Sequence, residues 1–133
     1  MEAYIYNDGG KKASGRRGVS GDCGVRAMAI ALGLEYSTCY IELAQANKEF
    51  GYKKSARNGL MKEVFQSVLK KHGWTWHKAP TFSGRKAYAS DLPTGTFIAR
   101  MSRHYATVID GVPHDIFNSS PKMVYGYWTR ETV

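Results

Sequence analysis

Cys23 lies in the stretch GVSGDCGVRAMAIALG, residues 18–33, where glycines and small polar residues lead straight into an alanine-rich apolar run. A thiol attacks as its thiolate, and a free cysteine titrates near ~8.5. A helix N-terminus lowers that value, because it sets partial positive charge and unpaired N–H groups beside the sulfur. Gly21 and Gly24 flank the thiol and leave a carbonyl substrate room to approach. The backbone N–H of Cys23 is itself a donor for an oxyanion. Asp22 opposes the thiolate unless its carboxylate is occupied in capping the helix. The plainer reading of such a cysteine is a small buried hydrophobe at a helix start. Cys39, inside the first turns of a second helix, suits that reading better than Cys23 does.

A nearby imidazole is the other device that favours a thiolate. The stretch SRHYATVIDGVPHDIFNSS, residues 102–120, puts His104 at the start of an extended run, and a strand holds a general base at a fixed angle. Asp110–Gly111 between two such runs is a hairpin signal. A two-residue turn there pairs position 109 with 112 and 106 with 115. Asp115 then shares a sheet face with His104, diagonally across and within side-chain reach. From that position it accepts the imidazole Nδ1–H and holds the tautomer. Asn118 is the competitor; it falls on the other face unless a bulge reverses the register.

These residues need elements to carry them. Residues 22–33 read as a helix, with Val25, Met28, Ala29 and Leu32 at three- and four-residue steps, Asp22 or Ser20 as cap and Gly33 as stop. A second helix is expected over 37–50, capped by Ser37 or Thr38, and a third from 58 or 59 to 72. After Gly73 the period changes to two. Strands are expected at 74–78, 96–101, 104–110, 112–117 and 123–128, with a short strand in AYIY near the start and a short helix near Ala87. Pro113 suits an edge or a strand start. Helices first and strands after argue for an α+β fold, N-terminal helices on a C-terminal antiparallel sheet, in one domain over 1–133.

A cysteine at a helix mouth, then a histidine on a strand, then Asp or Asn past a hairpin resembles the papain-like cysteine peptidase superfamily. The likeness is closer to small phage and bacterial members of that superfamily, which read roughly GDCxxRAxAxA, PxGxxI and HxxxxxDGxxxDxxxxxxxxVxGYW. The matching stretches are GDCGVRAMAIA (21–31), PTGTFI (93–98) and HYATVIDGVPHDIFNSSPKMVYGYW (104–128), so 42 residues carry it. Ovarian-tumour-type deubiquitinases and bacteriocin-processing peptidases are similar more loosely. The resemblance implies Cys23 as nucleophile, His104 as base and Asp115 as the orienting residue, with Asn118 able to orient a histidine as an asparagine does in papain. Many papain-like enzymes carry an oxyanion-hole glutamine six residues before the cysteine, where this chain has Arg17. The guanidinium of Arg17, the Ser20 hydroxyl or a backbone N–H are the donors on offer in its place. Arg26, three residues after Cys23, favours the thiolate or reads an acidic substrate group; a solvated arginine, or one paired with a sheet carboxylate, is the alternative. The resemblance also implies a phage or mobile-element origin and a host protein as target.

The bulk numbers set the limits. The chain has 133 residues and 43% hydrophobic residues, enough for one core. The longest apolar run, residues 27–32, is far short of a membrane span. MEAYIYNDGG carries no basic-then-apolar leader, so the expected compartment is the cytoplasm, the host's if the gene is phage-borne. Two cysteines make no disulfide framework, and His72 and His77 lack cysteine partners at zinc-ligand spacing, so no metal or other cofactor is expected. The net charge of +8, with basic clusters at 11–17, 53–57, 70–78 and 100–103, favours acidic partners, nucleic acid among them. The expected partner is a protein or peptide substrate, with the loop 79–92, Trp74 and Trp76 as candidate walls of a pocket; no membrane is expected. The second function class is an inactive papain-like fold serving as a basic binding module or as an inhibitor of a host factor or nucleic acid.

Overall fold

The computed structural model describes residues 3–17 and 21–130. Among them three helices precede most of a six-stranded sheet: α1 (Cys23–Leu32), α2 (Tyr36–Glu49) and α3 (Lys62–Lys71), with strands β1 (Ile5–Tyr6), β2 (Trp74–Lys78), β3 (Thr96–Met101), β4 (His104–Ile109), β5 (Val112–Asp115) and β6 (Val124–Arg130). The strand order is β1-β5-β4-β3-β6-β2. The sheet is mixed, not wholly antiparallel. Every pairing among β2–β6 is antiparallel, but β1 lies parallel to β5, with Ile5 opposite His114 and Tyr6 opposite Asp115. The short helix expected near Ala87 is a single 3-10 turn over Ala89–Asp91.

β3, β4 and β5 form a meander with two tight turns. Asp110 and Gly111 both take positive φ (50° and 80°), the backbone that a two-residue hairpin turn requires. Ile109 therefore faces Val112, Val108 faces Pro113 and Thr107 faces His114. β5 stops at Asp115 because the Ile116 N–H turns back to the Asp115 Oδ1 at 2.8 Å. Pro113 sits in an inner strand, yet β1 reaches only His114 and Asp115, so no ladder bond is lost at the proline.

Strand alternation sorts the side chains between two cores. Ile98, Tyr105 and Trp128 face the helices and pack with Val25, Met28, Leu43, Val64, Phe65 and Leu69. Phe97, Ala99, Met101, Ala106, Val108 and Val124 face the other way, under Ala89 and Leu92. Gly126 is required between β2 and β6: a Cβ there would lie 2.3 Å from the Trp76 ring.

α3 begins at Lys62, three or four residues later than its period suggests. The segment ahead of it is held by distant partners instead. Gly59 takes a φ of +84° and its N–H donates to the Gly21 carbonyl at 2.6 Å. The Leu60 carbonyl accepts the Tyr105 hydroxyl at 2.9 Å. α2 begins at Tyr36, so Ser37 and Thr38 lie within its first turn and neither caps it. No helix among the described residues is long and apolar enough to cross a membrane.

Candidate active site

α1 is fastened over β4 at mid-length, where the buried Thr107 hydroxyl donates to the Ala27 carbonyl at 2.7 Å. That crossing brings the mouth of α1 to the start of β4. The imidazole of His104 and the backbone N–H of Tyr105 both lie in hydrogen-bonding reach of the Cys23 sulfur. On its other side His104 meets Asp115, Nε2 to Oδ2 at 2.5 Å. The nitrogens are thus used the opposite way from the expectation: Nε2 is committed to the carboxylate and Nδ1 is the one left for the sulfur. Phe117 leans over the ring at 5.0 Å between centroids.

Asp115 is buried and saturated with donors. Besides His104, the Ser119 hydroxyl donates to Oδ2 at 2.8 Å and the Ile116 N–H to Oδ1. Asn118 does not compete. It is exposed, and its side-chain oxygen accepts from the Ser120 N–H and hydroxyl. No bulge occurs in the β4–β5 hairpin to turn it inward.

The charges follow from these contacts. Burial resists charge on His104, but its hydrogen bonds to Asp115 and Cys23 outweigh burial and raise its pKa to about 9. Burial likewise resists the Cys23 thiolate; the hydrogen bond and charge of His104, the Tyr105 N–H and the charge of Arg26 prevail and lower its pKa. Asp115 is lowered too, its His104 partner overriding burial. Cys39 shows the contrast. Burial and the Glu42 carboxylate push that thiol up to about 12, and it packs in the core as a small hydrophobe. Both cysteines are free thiols.

Asp22 does not cap α1. Its buried carboxylate accepts the Tyr36 hydroxyl at 2.6 Å and pairs with Lys11 at 2.8 Å and with Arg26. Arg26 is therefore neither solvated nor paired with a sheet carboxylate; it is buried against Asp22 one helical turn away. Burial works against charge on Asp22, and the Lys11 and Tyr36 hydrogen bonds with the Arg26 charge overcome it, lowering its pKa. The first turn of α1 consequently keeps its N–H groups clear of the carboxylate beside it.

The glycines around Cys23 serve contact, not openness. Gly21 takes a φ of +79°, and a Cβ on it would strike the Arg57 carbonyl oxygen at 2.0 Å. Gly24 is buried against Leu60 and Phe65. Arg17 is exposed and lines two concavities, neither of which includes Cys23. Ser20 lies outside the described residues.

The expected pocket walls lie elsewhere. Trp74 lines a cavity of about 410 Å³ with Ala31 and Leu32, at the end of α1 remote from Cys23. Trp76 packs on Trp128 at 4.8 Å, on the outer strand β2. From the loop 79–92, Tyr88 and Ser90 line a cavity of about 580 Å³ with Gly111 and Val112. Neither cavity includes Cys23 or His104. No group of three or more His, Cys, Asp or Glu side chains among the described residues is placed to hold a metal ion.

Three contributors to this site carry no motif of their own: Ser119, which pins Asp115; the Tyr105 N–H; and Lys11, which engages Asp22. The one usable signal is the spacing of Ser119, four residues after Asp115, where a serine closes a turn onto a carboxylate. Comparison with family models, with curated proteins and with solved structures finds no match to this chain.

Proposed function

We propose that this chain is a papain-like thiol hydrolase, cleaving a peptide, isopeptide or side-chain amide bond through Cys23, His104 and Asp115. One observation carries the reading: a buried imidazole stands between a sulfur and a carboxylate that come from three separate elements. Both pKa shifts favour a thiolate–imidazolium pair.

The Cys23 sulfur attacks the amide carbon and forms a C–S bond, while the carbonyl oxygen takes up the negative charge. N–H groups of the first turn of α1 are its donors, since the Asp22 carboxylate does not occupy them. His104 gives its proton to the leaving nitrogen as the C–N bond breaks. The neutral ring then takes a proton from water, whose oxygen attacks the thioester; the acid product leaves and the thiolate–imidazolium pair returns. Asp115 keeps the ring oriented and its charge balanced throughout. The sequence likeness to small phage and bacterial papain-like proteins supports the same chemistry. It also supports a phage or mobile-element origin, action in the host cytoplasm and a host protein as target.

The test is the rate of Cys23 alkylation by iodoacetamide against pH, with the modified residue identified by peptide mass mapping. The expected apparent pKa lies well below the free-thiol ~8.5 and returns toward it in His104→Ala. A titration like that of a free thiol, unchanged by His104→Ala, overturns the hydrolase reading and leaves the basic binding module.

A further inference from the structure

Beside the mouth of α1 the chain encloses a concavity of about 350 Å³, lined by Lys11, Arg16, Arg17, Tyr36, Tyr40 and Arg57 among others. It adjoins the Cys23 site through two attachments. Lys11 and Tyr36 both bond to Asp22, the residue before Cys23. The backbone of Arg57 and Asn58 is packed against Gly21, two residues before Cys23. A second concavity of about 270 Å³ shares Lys11, Arg16 and Arg17 and adds Lys12 and Arg26, so the positive surface continues past the first. Its lining includes one carboxylate, Asp8, whose oxygens already accept the Gly10 and Lys12 N–H groups.

Of the four cations that line the first concavity, Lys11 is paired with Asp22, and the three arginines are not neutralised. No carboxylate among the described residues pairs with Arg16, Arg17 or Arg57. The Arg16 guanidinium lies 3.8 Å over the Tyr40 ring. Arg57 follows a loop clamped by Asn47, whose side-chain amide donates to the Lys53 and Ser55 carbonyls at 2.9 and 3.2 Å. Holding like charges together costs free energy that folding alone does not return, and a bound anion offsets that cost.

We propose that this concavity is the subsite for an acidic side chain of the substrate, so that the enzyme prefers peptides carrying Asp or Glu beside the scissile amide. The inference rests on the thiol-hydrolase reading and deepens it. The space suits one or two side chains, and guanidinium groups bind carboxylates through paired, charge-assisted hydrogen bonds. The same features disfavour nucleic acid. Its binding sites combine a long basic track with open aromatic faces for stacking. Here one Tyr40 face is covered by Arg16, and the Tyr36 hydroxyl is committed to Asp22.

The test uses the full chain carrying Cys23→Ser and follows fluorescence anisotropy of three labelled probes. These are a short peptide rich in Asp and Glu, its Asn/Gln counterpart, and a single-stranded oligonucleotide of equal charge. The acidic peptide is expected to bind about tenfold or more tighter than its neutral counterpart. The exposed pair Arg17→Ala/Arg57→Ala is expected to erase that preference. Equal affinity for the two peptides, a preference that survives the double substitution, or tighter binding of the oligonucleotide overturns the subsite. Alkylation of the unsubstituted chain separates the two failures. A lowered thiol titration without acidic preference defeats the subsite alone. Acidic preference with an ordinary thiol defeats the hydrolase reading, and the substrate role of the concavity with it.

Discussion

Burial alone would strip charge from the His104 ring; the Asp115 carboxylate and the Cys23 sulfur hold it there instead, to about 9. The raised value has a defined sign in both stability and rate. The stabilisation that His104 contributes is complete below its unfolded value of 6.5 and is lost as pH rises through about 9. Activity that needs the imidazolium falls over the same alkaline range, while its acid limb follows the lowered Cys23 thiol. A bell-shaped kcat/KM profile with an alkaline limb near 9 is therefore expected. Asp115→Ala removes the carboxylate, so that limb moves down toward 6.5 and the rate falls by about 10²-fold or more. Ser119→Ala, which loses only the pin on Asp115, leaves the alkaline limb near 9 and most of the rate. The pairing of His104 with Asp115 is readable in the sequence because a two-residue turn sets strand register. The choice of Nε2 over Nδ1 is not, since it depends on the direction from which α1 arrives.

At the scale of elements, the GDC stretch is a join between a helix mouth and the loop of residues 57–60. Gly21 gives its carbonyl to the Gly59 N–H and leaves no room for a Cβ against Arg57. Gly21→Ala is expected to cost more than about 1 kcal/mol, through both the positive φ and the collision. It should also raise the Cys23 titration toward that of a free thiol, because the mouth of α1 must shift. Thermal denaturation and the alkylation profile check the two effects. Strands and helix ends were legible where local rules govern: the Asp110–Gly111 turn, the Gly33 stop and the period of two after Gly73 all correspond to observed boundaries. The start of α3 was not, because Gly59 and Leu60 spend their backbone groups on Gly21 and Tyr105, far away in sequence.

Across the whole molecule, the buried ion cluster joins the N-terminal segment to the helices. Lys11 comes from the loop after β1, Asp22 and Arg26 from the start of α1, and Tyr36 from α2. Removing the one carboxylate leaves two buried cations facing each other. Asp22→Ala is therefore expected to cost about 3–5 kcal/mol, measured by denaturant unfolding. Alone, the sequence determined the place of Cys23 at a helix mouth, the His104–Asp115 register and the segregation of helices from strands. Each follows from short-range backbone sterics, capping and side-chain periodicity within a window of some twenty residues. Only the tertiary structure decided which residues meet Asp22, which ring nitrogen faces the sulfur, and that two basic loops converge beside it. Those outcomes depend on how α1 and α2 bury their apolar faces against the sheet and one another, a choice that no single stretch of chain contains.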